Sequence, residues 1–175
     1  MLVRHATYAD CPAIARMQIE SYRTAYADLM PPEYLASFSY EDQQQDWENW
    51  FRSNQDLLLV ATGEEGQFVG YALARKLDST EHPFDCELMA LHVSASMTRQ
   101  GAGRLLFSEV ARQMHAQGCR SLTLWMLEGN PARGFYERLG GREQGEQYFE
   151  IPELKLRRRE VGFVWPRIED LFEGG

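Results

Sequence analysis

Leu91-His92-Val93, four further residues, and then Thr98-Arg99-Gln100-Gly101-Ala102-Gly103-Arg104-Leu105-Leu106 form the stretch whose reading decides the fold. Cys86 to Val93 reads as a strand. Gly103 to Gln117 reads as a helix whose apolar residues Leu106, Val110 and Met114 recur every four positions, with Gly118 placed to end it. Glycines in the joining loop let the backbone approach an anion closely. The free N–H groups and dipole of the new helix then favour negative charge at its start. Arg99 and Arg104 add positive charge at the same spot. Two rival phosphate motifs fail here. A P-loop needs Lys-Ser or Lys-Thr after its last glycine, and this chain has neither. A Rossmann fingerprint needs a third glycine, and Leu106 occupies that position.

Working outward, Leu2 to Ala6 reads as a first strand, followed by a helix with Asp10 as N-cap and Pro12 in its first turn. Ile14, Met17, Ile19 and Tyr22 form its apolar face up to about Tyr26, and Pro31-Pro32 breaks the chain. Glu33 to Arg52 is expected to be helical in its second half. Leu57 to Ala61 and Phe68 to Ala74 flank a Glu64–Gln67 turn and read as a hairpin. Ser121 to Met126 alternates as a strand. Asn130-Pro131 opens a short helix that Gly140-Gly141 closes, and Gln147–Ile151 and Glu160–Trp165 add two strands. The order β-α-α-β-β-β-α-β-α-β-β predicts one α/β (α+β) domain over residues 1–175. Its sheet is mixed and mostly antiparallel, with six to seven strands and helices on both faces.

Composition narrows the function. With 175 residues, 44% of them hydrophobic, the chain can bury a core. Its formal net charge of −8 argues against a nucleic-acid partner, and Lys155 to Arg159 is too short a basic run to reverse that. No apolar run approaches the ~18 residues of a membrane span, and Met1 to Thr7 lacks the apolar stretch of a secretory signal, so a cytoplasmic location is expected. Cys11, Cys86 and Cys119 are too widely spaced for a CxxC metal or redox pair; no metal is expected.

The strand-loop-helix resembles the most characteristic segment of the GCN5-related N-acetyltransferase (GNAT) superfamily: a strand ending L-Y-V, a loop Q/R-x-x-G-x-G/A, then a helix. Thr98 stands where the family usually has Gln or Arg; it can still donate a hydroxyl, and Arg99 can supply the charge. A second stretch, Asn130-Pro131-Ala132-Arg133-Gly134-Phe135-Tyr136-Glu137-Arg138-Leu139-Gly140-Gly141, is similar to the family's N-x-x-A-x-x-F-Y-E-x-L-G-F helix, one residue shorter between Asn and Phe. Either Ala132 or Gly134 is then the small residue facing the carrier.

The resemblance implies acetyl-CoA as cosubstrate, bound through Leu91, His92, Val93, Thr98 to Arg104, Asn130, Ala132 and Phe135, beside a strand that splays from its neighbour. It places the Val93 amide against the thioester oxygen and Tyr136 beside the carrier sulfur, where a phenol can protonate the departing thiolate. An alkylamine is less than roughly 0.1% neutral at pH 7, so a base is needed. Glu87, six residues before Val93, stands where the histone acetyltransferase branch carries its glutamate. Simple alternation would put it on one face with Met89 and Leu91, apolar neighbours that strengthen a carboxylate's hold on a proton. His92 is the rival base, and Cys86 should point away from Glu87. Tyr22, Tyr26, Trp47 and Trp50 offer aromatic surface for an alkylammonium. The expected activity is direct acetyl transfer, within a ternary complex, to a primary amine of a small molecule or peptide. The alternative is a catalytically weak acyl-CoA-binding regulatory module. Family habit adds a homodimer through the C-terminal strands.

Overall fold

A computed structural model describes residues 1–172 other than 55, 79 and 81. One seven-stranded sheet carries the chain, in the order β1-β2-β3-β4-β5-β7-β6. The strands are β1 (Leu2–His5), β2 (Leu57–Thr62), β3 (Phe68–Lys76), β4 (Cys86–Val93), β5 (Leu122–Leu127), β6 (Arg142–Ile151) and β7 (Leu156–Trp165). Among the described residues only β4 and β5 pair in parallel. That pair is joined by the crossover helix α4 (Ala102–Ala116), as a parallel connection requires.

Helices cover both faces, as expected. Leu106, Phe107, Val110, Ala111 and Met114 of α4 bury themselves against Leu59, Ala72, Leu88, Leu122 and Leu124. On the opposite face, α1 (Cys11–Ala25) and α3 (Tyr40–Ser53) close over Leu58, Val60, Tyr71 and Leu73. Cys11, Cys86 and Cys119 are free thiols and buried.

Several expectations are corrected. Asp10 does not cap α1: its carboxylate turns back to Arg4, at 2.8 Å, and to the Thr7 amide, at 2.7 Å. Pro31-Pro32 does not simply break the chain. Proline at the first helical position has its φ already set, and it opens a short helix, α2 (Pro32–Ala36). β6 and β7 are longer than predicted. β6 is an exposed edge strand whose register slips between Glu143 and Glu146, so its first half shows no apolar alternation to read. The last helix, α5, runs Arg133–Arg138. Its N-cap position is Ala132 and not Asn130; the Asn130 side-chain oxygen accepts the Ala132 amide at 2.8 Å in the turn that leads into the helix.

The most consequential correction lies in β4. Its register against β3 shifts between Leu73 and Ala74, so Ala90 opposes Leu73 and Leu88 opposes Ala74, with Met89 bulged out. A bulge turns every later side chain to the other face. Cys86 and Leu88, and beyond the bulge Leu91 and Val93, therefore all meet the α4 side. Glu87 falls on the opposite face, shared with Ala90 and His92, and not with Met89 and Leu91 as alternation predicted.

Candidate active site

β4 and β5 pair only at Cys86↔Leu122 and Glu87↔Thr123. Beyond that point β4 stays on β3 and β5 stays on β7, so the two strands diverge from Leu88 onward and leave facing backbone edges unpaired. The Met89 bulge, which bends its strand, sits two residues past the last pair.

At the wide end of this gap stands the loop into α4. Arg99 has φ +62° and Gly101 φ +87°, a conformation glycine reaches without strain and other residues rarely adopt. Among the described residues no side chain caps α4, and the amides of Ala102, Gly103 and Arg104 stand in its first turn, where a helix supplies no acceptor. Arg99 and Arg104 are exposed, and among the described residues no ion pair holds either. The Thr98 hydroxyl donates to Ala95 O at 2.9 Å and Gln100 Nε2 to Ser96 O at 3.2 Å, so both side chains brace the loop.

Gly103 joins the two sequence signatures in space. A Cβ there would stand 3.4 Å from the Phe135 ring and 3.8 Å from Val93 Cγ2. Ala132 packs toward the core with Phe135, whereas Gly134 faces the Arg138 guanidinium. Ala132 is therefore the small residue turned inward.

Tyr136 is buried, with Phe135 and Phe107 rings 5.1 and 6.0 Å away. Burial raises its phenol pKa above the ordinary value, and nearby Tyr26 raises it further. It is thus a neutral proton donor throughout the working pH range. Tyr22 and Tyr26 do come together with β4: Tyr22 lies 5.1 Å from Tyr26 and 5.8 Å from His92. Burial pushes Tyr26 up to about 12 and holds the His92 imidazole down at about 4. His92 is therefore neutral and weakly basic. Trp47 offers no open surface. It is buried against Tyr71 and Trp50, and its Nε1 donates to Gln18 Oε1 at 2.6 Å.

Glu87 does not have the apolar setting expected for it. Arg75 lies opposite on β3 and donates Nε and Nη2 to Glu87 Oε2 at 2.9 and 2.7 Å. Neither Arg75 nor Tyr71 stood out in the sequence. The Tyr71 hydroxyl is enclosed, without a hydrogen-bond partner among the described residues. No motif marks either residue, because both owe their place to the β3–β4 register.

The profile described as the acetyltransferase (GNAT) family matches residues 19–141. The chain belongs to this family. An uncharacterized N-acetyltransferase of Bacillus subtilis, YuaI, is 33% identical over 169 residues, 97% of this chain and 95% of that protein. The structure of a ribosomal-protein-alanine N-acetyltransferase from Brucella melitensis superposes with TM-score 0.69 at 26% identity, over 94% of this GNAT chain and 99% of that one. A PaiA N-acetyltransferase from Thermoplasma acidophilum, solved in complex with coenzyme A, shares the fold with TM-score 0.74 at 19% identity over 94% and 98% of the two chains. Among the described residues of this GNAT protein, no helix is long and apolar enough to cross a membrane.

Proposed function

We propose that this protein transfers an acetyl group from acetyl-CoA to a primary amine, directly and within one ternary complex. The observation that carries the reading is the β4–β5 opening, which ends at uncapped helix amides flanked by Arg99 and Arg104. Such a groove suits an extended amide-bearing chain with an anionic end. Gly103 leaves room beside Phe135 and Val93 for that chain to pass.

Acetyl-CoA supplies an activated acyl thioester. The α4 amides and the two arginines hold its pyrophosphate, and the open edge of Leu91 and Val93 pairs with its pantetheine arm. A free amide of that edge, Leu91 or Val93, donates to the carbonyl oxygen, which gains charge as the amine nitrogen bonds to the carbonyl carbon. Glu87, directly or through a water, takes a proton from the incoming ammonium. Tyr136 gives its proton to the sulfur as the C–S bond breaks, and recovers one from solvent. The free edge of β6 supports a homodimer in a cytoplasmic setting, and a monomeric mass in solution would remove that part.

Initial-rate release of coenzyme A thiol from acetyl-CoA, measured with amino acids, polyamines, aminoglycosides and peptides, tests the reading. Thiol release matched by acetylated amine is expected. Tight acetyl-CoA binding with no turnover on any amine would establish the regulatory module instead.

A further inference from the structure

A cavity lies on the face opposite α4, at the narrow end of the β4–β5 opening. It measures about 200 Å³, and its walls include Arg75, Phe84, Glu87, Thr123 and Trp125. Glu87 and Thr123 are the last residues to pair before the strands part, so the cavity begins where the opening closes. Trp125 is part of its lining. The edge of the Trp125 indole runs close to two glycines, whose Cβ atoms would stand 3.3 Å (Gly145) and 3.0 Å (Gly162) from it. One wall is fixed: Asp85, next to Phe84, accepts from the Arg120 and Ser121 amides at 2.7 and 3.0 Å.

The poles of this cavity are opposite in sign. Among the described residues Arg75 directs both of its hydrogen bonds to one oxygen, Glu87 Oε2. Among the described residues Glu87 Oε1 accepts no hydrogen bond and the Arg75 Nη1 group makes none. An ammonium can therefore sit on Oε1 within the space that Trp125 also lines, while a carboxylate takes the outer edge of the guanidinium. A polycation is disfavoured, because its second ammonium would meet Arg75. The volume is below the roughly 300–1,000 Å³ of drug-sized sites, which suits a metabolite of amino-acid size.

The geometry points to an acceptor that carries a carboxylate beside its amine, a small amino acid held between Arg75 and Glu87. This rests on the acetyltransferase reading above. Three matched series test it with the full-length protein: amino acids, their methyl esters, and the amines left by removing the carboxylate. An acid is expected to exceed its ester in kcat/KM by about ten- to a hundredfold, the worth of one charged hydrogen-bonded pair. Arg75→Gln should cut that ratio to within about threefold, by raising KM for the acid, and Arg75→Lys should restore part of it. Any general effect on Glu87 or on folding cancels in the ratio. Equal or better use of esters, decarboxylated amines or polyamines overturns the assignment, as does an unchanged ratio in Arg75→Gln. If no amine is acetylated, calorimetric binding to the coenzyme A-loaded protein decides. Acid binding that Arg75→Gln weakens keeps the cavity's assignment and removes the transferase reading. Acid and ester binding alike removes both.

Discussion

Glu87 and Thr123 form the last backbone pair between β4 and β5, and the groove proposed for the acyl carrier meets the cavity proposed for the acceptor at that pair. The carrier's phosphates are assigned to the far end, at Gly101 to Arg104. The consequences can be tested one element at a time.

Gly101→Ala tests the phosphate loop. Its φ of +87° leaves space for a Cβ but costs a non-glycine residue about 1 kcal/mol, so the loop must shift. KM for acetyl-CoA should rise about tenfold with kcat at saturation nearly unchanged. An unaltered KM would place the phosphates elsewhere.

Tyr136→Phe tests the proton donor. The ring packing against Phe107 and Phe135 survives, so urea unfolding should change by less than about 1 kcal/mol. Turnover should fall about 10²-fold with KM for acetyl-CoA preserved. Full turnover would return Tyr136 to a packing role.

His92 makes stability depend on pH. Its imidazole titrates near 6.5 when unfolded and near 4 when folded, because burial opposes its charge. The folded protein keeps it neutral, so its contribution is present above pH 6.5 and is lost as pH falls toward 4. Wild type should lose on the order of 2 kcal/mol more than His92→Gln between pH 7 and pH 4, read by urea unfolding at each pH. Parallel pH profiles would contradict this.

Trp47→Phe separates packing from acceptor binding. Losing the Gln18 hydrogen bond and part of the buried indole should cost about 1–3 kcal/mol of stability. KM for the acceptor should hold. A large KM change alone would put Trp47 back at the acceptor.

The segments proposed to hold the carrier were legible in the sequence because they are local. Gly101, Gly103, Asn130 and Tyr136 lie within one loop or one short helix, so their spacing reports their geometry. The cavity proposed for the acceptor was not. One bulged residue, Met89, turns Glu87 to the other face and sets it against Arg75, twelve positions away in sequence. Trp125 reaches the cavity lining beside Gly145 and Gly162, glycines on two other strands that leave its ring space. Such long-range register has no counterpart in a periodic pattern. The first half of β6 escaped for a related reason: a solvated edge strand has no buried face to imprint on its sequence.

The most direct test of the central claim is titration of acetyl-CoA into ¹⁵N-labelled protein, followed by amide chemical shifts. The account predicts that Val93, Arg99 to Arg104 and Phe135 shift together and saturate with one equivalent, while Leu58 and Val60, under α1 and α3, stay fixed. Absence of saturable shifts, or shifts confined to residues outside the β4–β5 opening, would contradict it.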